Sequence, residues 1–288
     1  MSRAAFRITG FDNLPGVVTE LKQNPGTVTF INGGTDFINQ MGKKKHDWVI
    51  DLSQVKDLKY IKQEDGLLKI GAGTTFAEIA ASQTVRETAE ALAQAAGQVG
   101  SVQIRNRATI GGNVASASPA GDSLPVLAAF DARIVVVGPA GTRTIPVMQA
   151  IADEGGSSLK EKELITAVLL PLAGNCRSGF KKIGSRSAVT IARISMAMVA
   201  EYDKQTNTIV TGKIALGALG CRPVCPAKAR EFMTGRKLDR ELAAGLADIL
   251  SETVNEAIPG RESRPYKAAA VKGLAFDMIN SLFGCCFE

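Results

Sequence analysis

The sequence predicts an α+β protein in two parts, and three observations carry that expectation. The first third alternates β-branched runs with stretches of helical spacing. Glycine pairs follow extended runs at residues 33–34 and 111–112. Beyond residue 178, strand-like stretches come first and helix-like ones afterwards, the block order of an α+β unit rather than of alternating βαβ units. With 288 residues, 45% of them hydrophobic and 22% charged, the composition is globular and a core can be buried without disulfides.

Taken in order, residues 16–23 (GVVTELKQ) have helical spacing, and residues 27–31 (TVTFI) form a short strand that runs into Asn32-Gly33-Gly34-Thr35-Asp36. Residues 48–52 (WVIDL) are a second strand. Residues 59–61 and 67–70 flank Glu64-Asp65-Gly66, a hairpin signal. Residues 75–81 and the Ala-rich 85–97 predict helices. Residues 97–132 are crowded with Gly, Ser, Ala and Asn, which let backbones approach each other or a ligand closely. Strands follow at 133–137, 144–147 and 163–170, the last closed by Pro171. Residues 173–178 are the expected boundary. Sheet-like stretches at 179–183, 191–202 and 208–219 then precede helices at 227–233, 239–254 and 266–283.

Several function classes are excluded by counts. The single histidine, His46, rules against Ser–His–Asp and Cys–His catalysis and against His-rich metal hydrolysis. Cys176, Cys221, Cys225, Cys285 and Cys286 form no CxxC pair, so they predict neither a zinc or iron–sulfur site nor a secreted disulfide framework. If the chain is an enzyme, a cofactor carries the chemistry. No apolar run approaches a membrane span, and the N-terminus lacks a signal-peptide core, so a cytoplasmic location is expected. The net charge of +6 suits anionic cofactors or acidic partners. Aromatics at 5% are too few for nucleic-acid stacking platforms, and Lys43-Lys44-Lys45 reads as a solvated loop.

Three motifs carry chemistry. In Ile31-Asn32-Gly33-Gly34-Thr35-Asp36, glycines after a strand can present consecutive N–H groups to a diphosphate; no Walker lysine follows, and no GxGxxG occurs. Thr109-Ile110-Gly111-Gly112-Asn113 repeats the pattern. Ser116 to Asp122 ends in a carboxylate able to bind a ribose hydroxyl or an adenine amine, or to cap the helix starting near Ser123; local signal favours the cap.

Together, INGGTD (31–36), VIDL (49–52), IGAGTTFAEI (70–79), GSVQIRNRATIGGN (100–113), SPAGDSLPVLAAFDA (118–132), ELITAVLLP (163–171), GFKKIGSR (179–186) and IALGAL (214–219) resemble a known family. It is the FAD-binding, or medium, subunit of the molybdenum hydroxylases, the xanthine dehydrogenase and carbon monoxide dehydrogenase family. The resemblance implies a vanillyl-alcohol oxidase-type (PCMH-like) FAD-binding domain over 1–172, with subdomains of about 1–55 and 56–172, then an α+β C-terminal domain over 173–288. By position, Thr29, Phe30, Ile31, Asn32, Gly33, Gly34, Thr35 and Asp36 would wrap the pyrophosphate. Thr109, Gly112 and Asn113 would line the phosphate and flavin region, and Ser116 and Asp122 the ribose and adenine side. Leu164, Ile165 and Lys181 match positions near the isoalloxazine and adenine ends, and Arg186 is a second basic candidate. Asn32 departs from the family's usual Ala-Gly-Gly-Thr-Asp, and Val99 stands where some animal relatives shield the flavin with an aromatic.

The resemblance also implies a function. Electrons would leave a substrate at a molybdopterin subunit, cross the [2Fe–2S] clusters of an iron–sulfur subunit, and reach non-covalent FAD on this chain, which would reduce NAD or another acceptor. The alternatives are a stand-alone FAD oxidoreductase with a soluble donor and, more distantly, a non-enzymatic nucleotide- or nucleic-acid-binding protein.

Overall fold

The computed structural model describes residues 7–23, 26–40, 48–172, 174–186 and 189–284. Lys43-Lys44-Lys45, His46, Cys285 and Cys286 lie outside the described residues. Strands β1 (Arg7–Gly10), β2 (Val28–Ile31) and β3 (Trp48–Asp51) form a parallel sheet with β3 in the middle. Helix α1 (Leu14–Gln23) lays Val17 and Leu21, one helical turn apart, on Trp48, Ile50 and Leu52. Strand β1 is absent from the sequence expectation. Its Ile8 is exposed, so no apolar pattern marks it. The β3 ladder recruits it, and Trp48 Nε1 donates to Thr9 Oγ1 at 3.0 Å. Helix α2 (Thr35–Gln40) starts directly on the first glycine loop.

A five-stranded antiparallel sheet follows, ordered β4 (Ile61–Glu64), β5 (Leu67–Gly71), β8 (Leu164–Pro171), β6 (Arg133–Gly138) and β7 (Gly141–Pro146). The β4–β5 turn places Asp65 and Gly66 at positive φ, as a two-residue hairpin loop demands. Helices α3 (Phe76–Ala81), α4 (Gln83–Thr88), α5 (Glu90–Gly97), α6 (Val102–Arg105), α7 (Ile110–Ser116) and α8 (Ser123–Ala129) lie between β5 and β6 in the chain. The helix expected over 85–97 is in fact two. Ala89 leaves helical geometry at φ −146° and ψ 59°. The break turns α5 onto the third sheet, where the unsatisfied first-turn amide of Ala91 donates to Ser178 Oγ at 3.1 Å.

The third sheet is antiparallel and ordered β12 (Arg236–Lys237), β11 (Thr208–Gly217), β10 (Ala192–Asp203) and β9 (Cys176–Gly184). Helices α9 (Ala227–Met233), α10 (Arg240–Ala257) and α11 (Arg264–Phe283) cover one face. In α10, Leu242, Leu246, Leu250 and Val254 repeat every four residues and meet Val271, Leu274 and Met278 of α11. The sheet's other face joins the neighbouring core, where Phe180, Ala197 and Ala215 share one cluster with Leu92 and Val126. Among the described residues, no helix is long and apolar enough to cross a membrane.

Candidate functional site

The first glycine loop leaves β2 at Ile31 and packs against the segment before α7. A Cβ on Gly33 would stand 1.8 Å from the Arg107 carbonyl oxygen, so only glycine allows that approach. Gly34 follows at φ +74°. The amides of Gly33 and Gly34 have no acceptor among the described residues. They are the donors a diphosphate needs.

The second glycine pair is different. Its amides were expected to face a diphosphate as well, but the fold uses them. Ile110 N–H donates to Thr74 O (3.1 Å), Gly111 N–H to Ala72 O (2.9 Å) and Gly112 N–H to Thr109 Oγ1 (3.2 Å). Helix α7 begins at Ile110, and its first-turn amides are satisfied by the neighbouring 72–74 segment and by the Thr109 cap. Gly111 is there for contact: a Cβ would stand 2.5 Å from that of Ala72. Replacing Thr109 with valine is expected to cost about 1 kcal/mol through the lost cap. Parallel thermal melts and FAD titrations of the variant check this, with a modest rise in the FAD dissociation constant expected.

Between the two loops lies a cavity of about 430 Å³, lined by Thr29, Phe30, Ile31, Asn32, Gly33, Gly34, Thr35 and Asp36 on one side and by Thr109, Gly112, Asn113 and Ser116 on the other. Leu164 and Ile165 line an adjoining apolar slot of about 80 Å³ with Phe30, Leu58 and Gly112. Ile104 and Val99 also line the cleft, as do Phe76, Gly156 and Ser157, which the sequence reading missed. A signal for the last two existed in a third glycine pair, Gly155-Gly156, at φ +99° and +79°. It follows no predicted strand.

Asp122 and Lys181 lie outside both cavities. Asp122 does not cap α8. Its backbone is helical (φ −64°, ψ −29°) rather than extended as a cap requires, and its side chain makes no cap bond. Instead Asp122 Oδ2 accepts from Lys182 Nζ at 2.6 Å, with both side chains buried. Lys182 Nζ also donates to Gln98 O (2.8 Å) and Thr190 O (3.2 Å). Burial pushes the Asp122 carboxyl above its usual range, against the pull of the Lys182 ammonium. The lysine that pairs with Asp122 is Lys182, the neighbour of the expected Lys181. Alternation along β9 puts Lys181 on the face of Gly179 and Ile183, which meet α11 and its core, and Lys182 on the face of Phe180. Arg186 is exposed and donates to Val189 O at 2.9 Å.

The pair borders the cleft. Gln98, which accepts from Lys182, precedes the lining residue Val99, and Ser123, which follows Asp122, donates from Oγ to Asn113 Oδ1 of the lining at 2.6 Å. Asp122 Oδ1 is buried without a hydrogen-bond partner among the described residues. Two free glycine amides at the cleft and an adjoining apolar slot fit a flavin dinucleotide.

Comparison with known proteins agrees. Residues 15–173 match the FAD binding domain in molybdopterin dehydrogenase, and residues 179–282 the CO dehydrogenase flavoprotein C-terminal domain. The nicotinate dehydrogenase FAD-subunit of Eubacterium barkeri is 32% identical over 283 residues, 95% of this chain and 95% of its own. The carbon monoxide dehydrogenase medium chain of Hydrogenophaga pseudoflava is 26% identical over 239 residues, 83% of this chain and 82% of its own. In fold, the solved carbon monoxide dehydrogenase from Hydrogenophaga pseudoflava superposes with a TM-score of 0.87 over 99% of this chain and 100% of that one, at 24% identity. Quinoline 2-oxidoreductase from Pseudomonas putida 86 gives 0.86 over 98% of each chain at 23% identity. The chain therefore belongs to the FAD-binding subunits of the molybdenum hydroxylase family: its cofactor is FAD, and it is an FAD-dependent oxidoreductase subunit.

Proposed function

We propose that this chain is the electron-exit subunit of a heteromeric molybdenum hydroxylase. A molybdopterin subunit oxidises the substrate, an iron–sulfur subunit carries the electrons over its [2Fe–2S] clusters, and this chain hands them to NAD or another acceptor. The observation that carries the reading is the single cleft that gathers residues 29–36 with Thr109, Gly112, Asn113 and Ser116. Bound FAD supplies exchange between one-electron and two-electron transfer. The amides of Gly33 and Gly34 donate to the diphosphate, and Thr35 and Asp36 complete that loop. Phe30, Leu164 and Ile165 exclude water from a flat ring, while Ser116 and Asn113 meet polar groups along the opposite wall. Asp122 supports the ribose and adenine side from behind the cleft wall, and Lys182 offsets the cost of burying that carboxylate. Residues 1–172 hold the cofactor, in two subdomains divided near residue 55, and residues 173–288 supply Lys182 and the supporting sheet. A reducing, cytoplasmic setting belongs to the same proposal, since Cys176, Cys221 and Cys225 are free thiols.

The test is purification of the chain from its native source, followed by metal and flavin analysis. Iron, molybdenum and FAD in fixed proportion, with flavin bleaching on substrate addition and recovery on adding NAD or a quinone, is the expected result. A yellow chain that purifies alone and is reduced by a soluble donor selects the stand-alone oxidoreductase instead.

A further inference from the structure

A second cavity, of about 240 Å³, shares Asn32 and Gly33 with the cofactor cleft as a common wall. Its other walls come from the turn after β3 and from Asn106 and Arg107. Lys56, Lys59 and Arg107 line it, and no Asp or Glu is among its lining residues. Lys59 is paired with Glu78 at 2.8 Å. The Lys56 ammonium and the Arg107 guanidinium have no partner among the described residues. Side-chain amides of Asn32, Gln54 and Asn106 add directed N–H donors. A concave, positively charged site with neutral donors and no acidic lining concentrates anions, and a guanidinium matches phosphate geometry.

Asn32 joins this cavity to the cofactor. It lines the cleft, the apolar slot and the cationic cavity alike. Gly73 makes room for it, since a Cβ there would stand 3.0 Å from Asn32 Nδ2. The alanine usual at this position would offer no amide to any of the three.

We propose that the cationic cavity is a phosphate subsite for a second ligand, a phosphorylated small molecule bound beside FAD. Its volume suits a phosphate with part of a sugar, so a dinucleotide acceptor would place one phosphate there and extend outward. That identification of the ligand rests on the acceptor reading above; the phosphate chemistry does not. The experiment titrates the FAD-loaded chain at low salt with inorganic phosphate, AMP and NAD, each followed by calorimetry. Saturable binding is expected, weakened about tenfold or more by the Lys56→Gln/Arg107→Gln double variant, because each charged hydrogen-bonding group is removed. FAD content should stay at the parent level. NAD and AMP binding more tightly than phosphate makes a nucleotide the ligand, whereas equal affinities make it the free anion. Absence of saturable binding by all three, binding that the double variant leaves unchanged, or loss of FAD from that variant overturns the subsite. Failure of the electron-exit reading looks different, as a chain that binds FAD and phosphate but purifies without iron and molybdenum.

Discussion

Replacing Gly33 with valine is expected to strip the chain of FAD and to force apart the two loops that form the cleft. The first Cβ atom would already lie 1.8 Å from the Arg107 carbonyl oxygen. That carbonyl has little room to retreat, because Ala108 N–H donates to Ile104 O at 2.7 Å and Phe76 N–H to Ala108 O at 3.0 Å. Overpacking of this kind costs about 1–3 kcal/mol, or more when backbone must move. Acid-released flavin should fall below roughly a tenth of the parent's, given the charge-assisted diphosphate bonds lost with the loop, and the melting temperature should drop by about 5 °C. Parent-like flavin and melting would mean the loops do not meet as described. The matching change at Gly112 is milder. A Cβ there meets only Thr109 Oγ1, at 3.1 Å, so Gly112→Ala threatens a helix cap and not a backbone contact.

The second large effect is expected from Lys182→Met. It removes the cation from a buried pair and leaves the Asp122 carboxylate without compensation, a change that costs about 3–5 kcal/mol. It also frees Gln98 O and Thr190 O from the shared ammonium. The deficit should depend on pH with a definite sign. Burial already raises the Asp122 carboxyl, and losing Lys182 raises it further. A carboxyl whose folded value exceeds its unfolded one favours the folded state when protonated. The penalty is therefore smallest in acid, grows as pH rises, and is complete once pH exceeds the carboxyl's folded-state value. Melting curves across that rise check it, and the added Asp122→Asn change should recover part of the loss and flatten the slope. A deficit of the same size at every pH would show that the carboxylate is not the source.

Much of the site was legible because its residues cluster in sequence. A glycine pair after a β-branched run marks a loop with exposed amides, and Asn32 to Asp36 indeed line the cleft. The second pair looks identical on paper, yet its amides are consumed by Ala72, Thr74 and Thr109, acceptors that local sequence does not reveal. Asp122 carries a cap signature but sits in helical backbone, and its partner Lys182 comes from a strand sixty residues away. Choosing between Lys181 and Lys182 required strand register, which a one-residue slip inverts. Strand β1 was invisible because its pairing with β3, and not its own pattern, makes it a strand. Residues 85–97 have helix-forming composition throughout, and the break coincides with bonds from α5 to the third sheet, Ala91 N–H to Ser178 Oγ and Phe180 N–H to Gln94 Oε1, that local sequence does not reveal.

The shared core across the β9 seam has a consequence for how the polypeptide melts and how it can be recombined. Phe180, Ala197 and Ala215 are as much part of the cofactor half's interior as Leu92 and Val126. Across the same seam, Phe180 N–H donates to Gln94 Oε1 at 2.8 Å. Calorimetry should accordingly record one cooperative heat-absorption peak, not two. A fragment cut at the junction would expose an apolar wound and aggregate. A chimera that joins one relative's front half to another's back half would need matched residues along the whole seam before it folded.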